Sequence, residues 1–226
     1  MAEIIGDEPA ESTEPQLQEF HYFTSAIYQI QNAEFLETVS AVADEYLAKV
    51  KKQVALNEIY PVYMSDNFMN DPRLADFNKF ILDKAWGILN HQGYNMDSIA
   101  TIMNELWCQE HEKHSGQDEH IHGLGNQISG FYFLECPKNG SIPVFHDPRP
   151  AKKYANIIER DMSRATTASI AVNFKPEPGM MLFANSWLPH AFTKNGADSP
   201  SKFIHFNIGL IHKLQSVAVD NSATTV

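Results

Sequence analysis

The sequence predicts an α+β fold in which two amphipathic helices lead into a β-roll, and two patterns say so. Apolar residues recur at three- and four-residue steps over residues 34–54 and again from 71 to about 93. From about residue 99 the rhythm shortens into apolar runs bounded by Gly, Pro, Asn or Asp. In order, Phe20 to Ile30 alternates enough to read as a strand. Glu34 to Val54 reads as a helix, because Phe35, Val39, Val42, Tyr46, Leu47 and Val50 fall on one face. Lys51 and Lys52 near its end suit the helix dipole. A second helix follows Asp71-Pro72, the acid as N-cap and the proline as first residue, and it stops near Gly93. Strands are expected at 102–108, 129–135, 142–145, 168–174, 180–183, 190–193 and 202–211, with a Pro-Glu-Pro-Gly turn at 176–179. Short strands at that spacing indicate a sandwich or barrel.

Composition narrows the function. The 226 residues carry 28 acids against 17 bases, a formal charge of −11. That balance argues against an undirected grip on nucleic acid, which needs clustered Lys and Arg to displace counterions. With 43% hydrophobic and 11% aromatic residues the chain can bury a real core. No run approaches the ~18 apolar residues of a membrane span. The acidic N-terminus does not resemble a signal peptide, so a cytoplasmic protein is expected. Cys108 and Cys136 are too few for a disulfide scaffold and not spaced as a zinc pair. The organisation expected is a solvated acidic leader over 1–19, one domain over 20–215 whose roll occupies about 98–212, and a small polar tail over 216–226.

Histidine is the unusual residue: four of the ten lie between His111 and His122. In an extended strand, residues i and i+2 share a face, so His120 and His122 can converge on one ion. A third ligand must come from a distant strand, and His190, in Trp187-Leu188-Pro189-His190 beyond a turn and a short apolar strand, is the candidate. Imidazole suits Fe, Zn, Cu or Ni, so ligand type does not choose the metal. The same histidines would serve equally as packed or loop residues of a binding module. His111 and His114 fall in a charged run and are expected in a loop, and Cys108 is expected to pack beside Trp107.

The stretch from Trp107 to Gly209 resembles the double-stranded β-helix, a jelly-roll or cupin-like fold, of the Fe(II)- and 2-oxoglutarate-dependent oxygenases. The nearest likeness is to a family common in marine bacteria and their phages and distantly similar to prolyl 4-hydroxylases. The residues that carry it are Trp107, His120-x-His122, the run 129–134 (SGFYFL), the run 145–149 (FHDPR), the run 178–183 (PGMMLF), His190 and Phe206-Asn207. The resemblance implies Fe(II), 2-oxoglutarate as cosubstrate, O2, and hydroxylation of a substrate C–H bond. It implies His120, His122 and His190 as metal ligands. Most such enzymes place Asp or Glu two residues after the first histidine, and here that residue is His122. A three-histidine face is preferred. Asp147 as a replacement carboxylate, or His122 outside the coordination sphere, are the alternatives. Lys202, twelve residues after His190, matches the family's cation for the distal carboxylate of 2-oxoglutarate, with Lys194 as its rival and Tyr132 as the accompanying hydroxyl. Asn207 would alternate to the opposite face from Lys202 and is expected to be structural. Arg149 is expected in a surface ion pair.

Two other function classes stand beside this one. A cupin-like dioxygenase or isomerase that does not use 2-oxoglutarate would carry a Glu soon after His-x-His, which residues 123–127 lack. A non-catalytic β-roll would bind no iron. The substrate, a small molecule or a protein side chain, is not legible in the fold.

Overall fold

The computed structural model describes residues 17–56, 61–154 and 157–213. The tail, most of the leader, and the segments 57–60 and 155–156 lie outside them. The first strand, β1 (Ile27–Gln31), is shorter than the alternation suggested, and residues 20–23 before it are exposed. Helix α1 (Leu36–Gln53) buries Val39, Val42, Ala43 and Leu47 and keeps Glu37 in its first turn and the two lysines in its last. A short strand, β2 (Val62–Met64), follows; three residues are too few to register as a periodic pattern.

The second helix begins as its sequence directs. The Asp71 carboxylate accepts from the Arg73 amide at 3.0 Å, and Pro72 opens one 3₁₀ turn over Pro72–Leu74. Helix α2 (Ala75–His91) then runs until Gly93, whose φ of 93° only glycine tolerates readily. Both helices lay their apolar faces on one side of a sheet. Phe77 meets Tyr132 at 5.1 Å between ring centroids and Phe35 at 5.5 Å.

The remaining strands are β3 (Ile99–His111), β4 (Gln117–His120), β5 (Asn126–Glu135), β6 (Pro143–His146), β7 (Ala171–Asn173), β8 (Met180–Asn185), β9 (His190–Phe192) and β10 (Ser201–His212). A six-stranded sheet has the order β1-β8-β5-β10-β3-β2, and a four-stranded sheet the order β4-β9-β6-β7. Every pairing is antiparallel. This is the jelly-roll expected, with two supporting helices. At the turn before β8, Gly179 has φ +83° and its amide donates to the Phe133 carbonyl at 2.9 Å.

The large sheet sorts its side chains by parity. On β10, Ile204, Phe206 and Ile208 join Leu106, Cys108, Ile128, Tyr132 and Leu134 in the core beneath the helices. Phe203 joins Phe131, Phe133, Phe145, Leu182 and Phe192 in a second core between the sheets. Gly130 is required where the chain crosses the first core: a Cβ there would stand 2.3 Å from the Leu182 carbonyl oxygen and from the Phe206 ring. Cys108 is fully buried under the helices, whereas Trp107 turns the other way onto His205, so the expected Cys108–Trp107 packing is replaced by opposite faces of one strand. His111 is also corrected. It closes β3 rather than sitting in a loop and is fully buried. Its Nδ1 is 3.0 Å from Ser141 Oγ, and its Nε2 3.2 Å from Gln109 Oε1. His114 does lie in a turn, with φ 70°.

Candidate metal centre

Three segments of the roll bring imidazoles together. His120, the last residue of β4, is paired in register with His190, the first of β9. Their rings stand 4.5 Å apart. His122 lies just past the end of β4, where its amide donates to the Ser186 carbonyl at 2.9 Å, so the shared face comes from a strand end and not from a continuous strand. Its ring is 5.0 Å from His120 and 5.1 Å from His190. The separation that the reading of His120, His122 and His190 required is therefore present.

A fourth imidazole completes the group. His205 sits mid-strand on β10, flanked in register by Trp107 of β3 and Phe131 of β5. Its Nε2 is 3.1 Å from His122 Nε2, which is in turn 3.3 Å from His190 Nε2. One candidate ligand atom from each of His120, His122, His190 and His205 lies within 4.8 Å of all the others. Sequence reasoning missed His205. A lone histidine in an apolar strand reads as core, and only the parity of β10 relative to β5 and β3 aims it at the others.

Burial determines the charge state of these groups. His190 and His205 are each 2% exposed. Desolvation lowers the pKa of His190 to about 3 and that of His122 to about 4, and drives that of His205 well below the usual histidine value. At neutral pH these rings are uncharged, with lone pairs free for an ion. The His120 Nδ1 lies 2.7 Å from the Asp118 carbonyl and the His190 Nδ1 3.0 Å from the Leu188 carbonyl. Donation there fixes the tautomer that turns Nε2 toward the cluster. His122 Nδ1 faces the Asn207 amide at 3.3 Å, and Asn207 donates to Glu105 Oε2 at 2.7 Å. Asn207 thus touches the centre instead of being only structural.

The donor set fits iron. Nitrogens sharing one ion at bonds of about 2.1 Å stand about 3.0 Å apart at right angles and about 3.4 Å apart at tetrahedral angles. The 3.1 and 3.3 Å contacts fall within that range. One hydrogen on His122 Nε2 satisfies one such contact well, whereas an ion satisfies both.

The expected cosubstrate residues face elsewhere. Lys202 has the parity of Ile204 and Phe206, so its Nζ emerges beneath α1, where it bonds Asp44 Oδ1 at 2.7 Å and Glu135 Oε1 at 2.6 Å and stands 3.8 Å from Glu110 Oε2. Tyr132 shares that face; its hydroxyl donates to the Asn32 carbonyl at 2.8 Å. A sheet lies between both residues and the histidines, and the role given to them is withdrawn. Asp147 is likewise committed, to Arg149 at 2.7 Å and Lys152 at 3.2 Å, and the Arg149 guanidinium holds its carboxyl well below the usual carboxylate range. Arg149 forms the surface ion pair expected of it. Beside the centre, a cavity of ≈ 420 Å³ is walled by residues 19–25, Phe145, Asp147, Ile170 and Leu188. The Phe145 ring is 5.9 Å from that of His190.

Comparison with known proteins agrees with this architecture. Residues 105–207 match the family described as "Putative 2OG-Fe(II) oxygenase". No curated protein matches the sequence. Among solved structures, a prolyl-4-hydroxylase from Pseudomonas putida shares 12% identity at a TM-score of 0.53, over 81% of this chain and 93% of that one. The viral collagen prolyl hydroxylase of Paramecium bursaria Chlorella virus-1, in its 2OG complex, shares 12% at 0.52, over 80% and 94%. The α-ketoglutarate-dependent carbocyclase SnoK of nogalamycin biosynthesis shares 13% at 0.54, over 89% and 87%. The family implies Fe(II), 2-oxoglutarate and O2 as its working set. No helix among the described residues is long and apolar enough to cross a membrane. Residues 105–207 thus match the 2OG-Fe(II) oxygenase model, the fold is that of solved 2OG-Fe(II) oxygenases, and the histidine cluster could hold a metal ion.

Proposed function

We propose that the chain is a hydroxylase, a single oxygenase domain over residues 20–215 in which His120, His122 and His190 hold Fe(II). The observation that carries the reading is the convergence of these imidazoles, from β4, the turn after it and β9, with His122 Nε2 3.3 Å from His190 Nε2 and a ligand atom of His120 within 4.8 Å of both. Bound iron, with 2-oxoglutarate and O2, supplies the oxidising chemistry, in which the keto acid is decarboxylated to succinate and CO2.

The protein's own residues do the rest. Burial keeps His122 and His190 neutral, so at these two rings the ion does not compete with protons near pH 7. The Asp118 and Leu188 carbonyls orient two of the rings. Phe131 and Phe145, at 5.4 and 5.9 Å from the His190 ring, give the centre a dry wall against which a reactive species meets little but substrate. A cavity of ≈ 420 Å³, lined by Phe145 and Leu188 near His190 but by none of the four histidines, has room for a small metabolite or a protein side chain. The prolyl hydroxylases among the structural neighbours favour hydroxylation. The test is anaerobic addition of Fe(II) and then 2-oxoglutarate. A metal-to-ligand charge-transfer band, followed by succinate on admitting O2, is expected. A protein that binds iron but gives neither would leave this reading without support.

A further inference from the structure

The fourth histidine is held differently from the other three. The Nδ1 atoms of His120 and His190 face main-chain carbonyls that accept from them, and that of His122 stands 3.3 Å from the Asn207 amide nitrogen. His205 Nδ1 is buried and has no hydrogen-bond partner. What holds this ring is stacking: it lies on the Trp107 indole at 4.2 Å and 13°, with the Phe131 edge at 4.8 Å. Histidine ligands almost always give their second nitrogen a hydrogen-bond partner, which fixes the ring and raises its basicity. A ligand without one is the least firmly held of its set.

Resting on the iron-centre reading above, we propose that His205 is a fourth and releasable metal ligand, which takes one position on the ion at rest and gives it up when a bidentate keto acid binds. The coordination count supports this. A six-coordinate ion held by four nitrogens has two positions left, whereas a keto-acid chelate and O2 together need three. One protein nitrogen must therefore give way, and His205 is the one whose Nδ1 has no hydrogen bond to hold the ring in place. Its contact with His122 at 3.1 Å is the shortest between two imidazole nitrogens in the group, so it is within reach of the same ion.

The experiment uses Co(II) as the probe, because each Co(II)-bound imidazole that keeps its N–H contributes one hyperfine-shifted exchangeable proton resonance. Wild-type protein loaded with Co(II) is expected to show four such resonances, and three once 2-oxoglutarate is added. His205→Phe is expected to show three throughout and to bind Co(II) about tenfold or more weakly. His205→Gln, which preserves a polar group of similar length, guards against a packing failure of the phenyl variant, and native near-UV dichroism is the check on each. Three resonances in wild type, unchanged by either substitution, would overturn the proposal while leaving the iron centre standing. Four that persist after 2-oxoglutarate binds would overturn the releasable role. Wild-type protein that binds neither Co(II) nor Fe(II) would overturn both the proposal and the reading it rests on.

Discussion

His190 meets the other imidazoles from an enclosed position, paired with His120 and walled by Phe131 and Phe145. Replacing it by alanine removes a ligand at a site that cannot recruit another from solvent. His190→Ala is expected to cut Fe(II) affinity by at least about 100-fold, read as bound iron after gel filtration, with succinate formation falling in step. The buried histidines also set a pH limit on the metal-free protein. Burial holds His190 at about 3 and His111 at about 4, against 6.5 for a free histidine. Between those values the unfolded chain takes up protons that the folded chain refuses, so stability rises with pH there. The stability these groups contribute is whole above about pH 6.5 and is lost as pH falls toward about 4. Urea midpoints measured from about pH 7 down to pH 5 are expected to fall without metal, and a flat profile would show that the rings are not buried neutral. His120, His122 and His190 were readable because two stand at i and i+2 and the third follows a recognisable turn and strand. His205 was not, because nothing near it in sequence says which face of β10 looks inward.

Strand parity is also where the cosubstrate residues went astray. Lys202 lies at the right distance along the chain from His190, but its even register places it with Ile204 and Phe206 under α1. The alternation that separates Asn207 from Lys202 was legible; which of the two shares the histidines' side depends on pairing with β3 and β5, a property of the assembled sheet. Lys202→Met separates the two roles. Glu110, whose side chain is 3% exposed, would keep only Lys51 as a cationic partner, and Asp44 and Glu135 would lose their bonds to Nζ. A loss of about 1–3 kcal/mol in urea unfolding is expected, discounted for the half-exposed Asp44 and Glu135. The dissociation constant for 2-oxoglutarate should stay within about twofold of wild type. A large rise in that constant, at unchanged stability, would return Lys202 to the cosubstrate pocket. The long strands were legible from their Gly and Pro boundaries. The short strands β2 and β4 were not among them, whereas β6, β7 and β9, which are no longer than these, were read from the Gly, Pro and Asn around them.

The roll and its helices share one core, and this decides how the molecule unfolds. Residues 105–207 carry the family's pattern, yet the outer face of that sheet consists of Leu106, Cys108, Ile128, Tyr132, Leu134, Ile204, Phe206 and Ile208, all buried only because α1 and α2 cover them. Left bare, such a face is far more apolar than a soluble surface supports. A fragment spanning 98–212 is therefore expected not to fold alone, and the helices to melt with the strands in one transition. Phe77 tests the coupling, since it belongs to α2 and packs on Tyr132 of β5. Phe77→Ala, at a site 2% exposed, is expected to cost about 3–5 kcal/mol in urea unfolding. Far-UV dichroism, which follows the helices, and near-UV dichroism, which follows the aromatic strands, should still shift together. If the helical signal were lost first while the roll kept its near-UV spectrum and its iron, the two layers would be separate units. The helices would then be an accessory to the metal centre, and the sheet beneath them would have to be stable with its apolar face exposed.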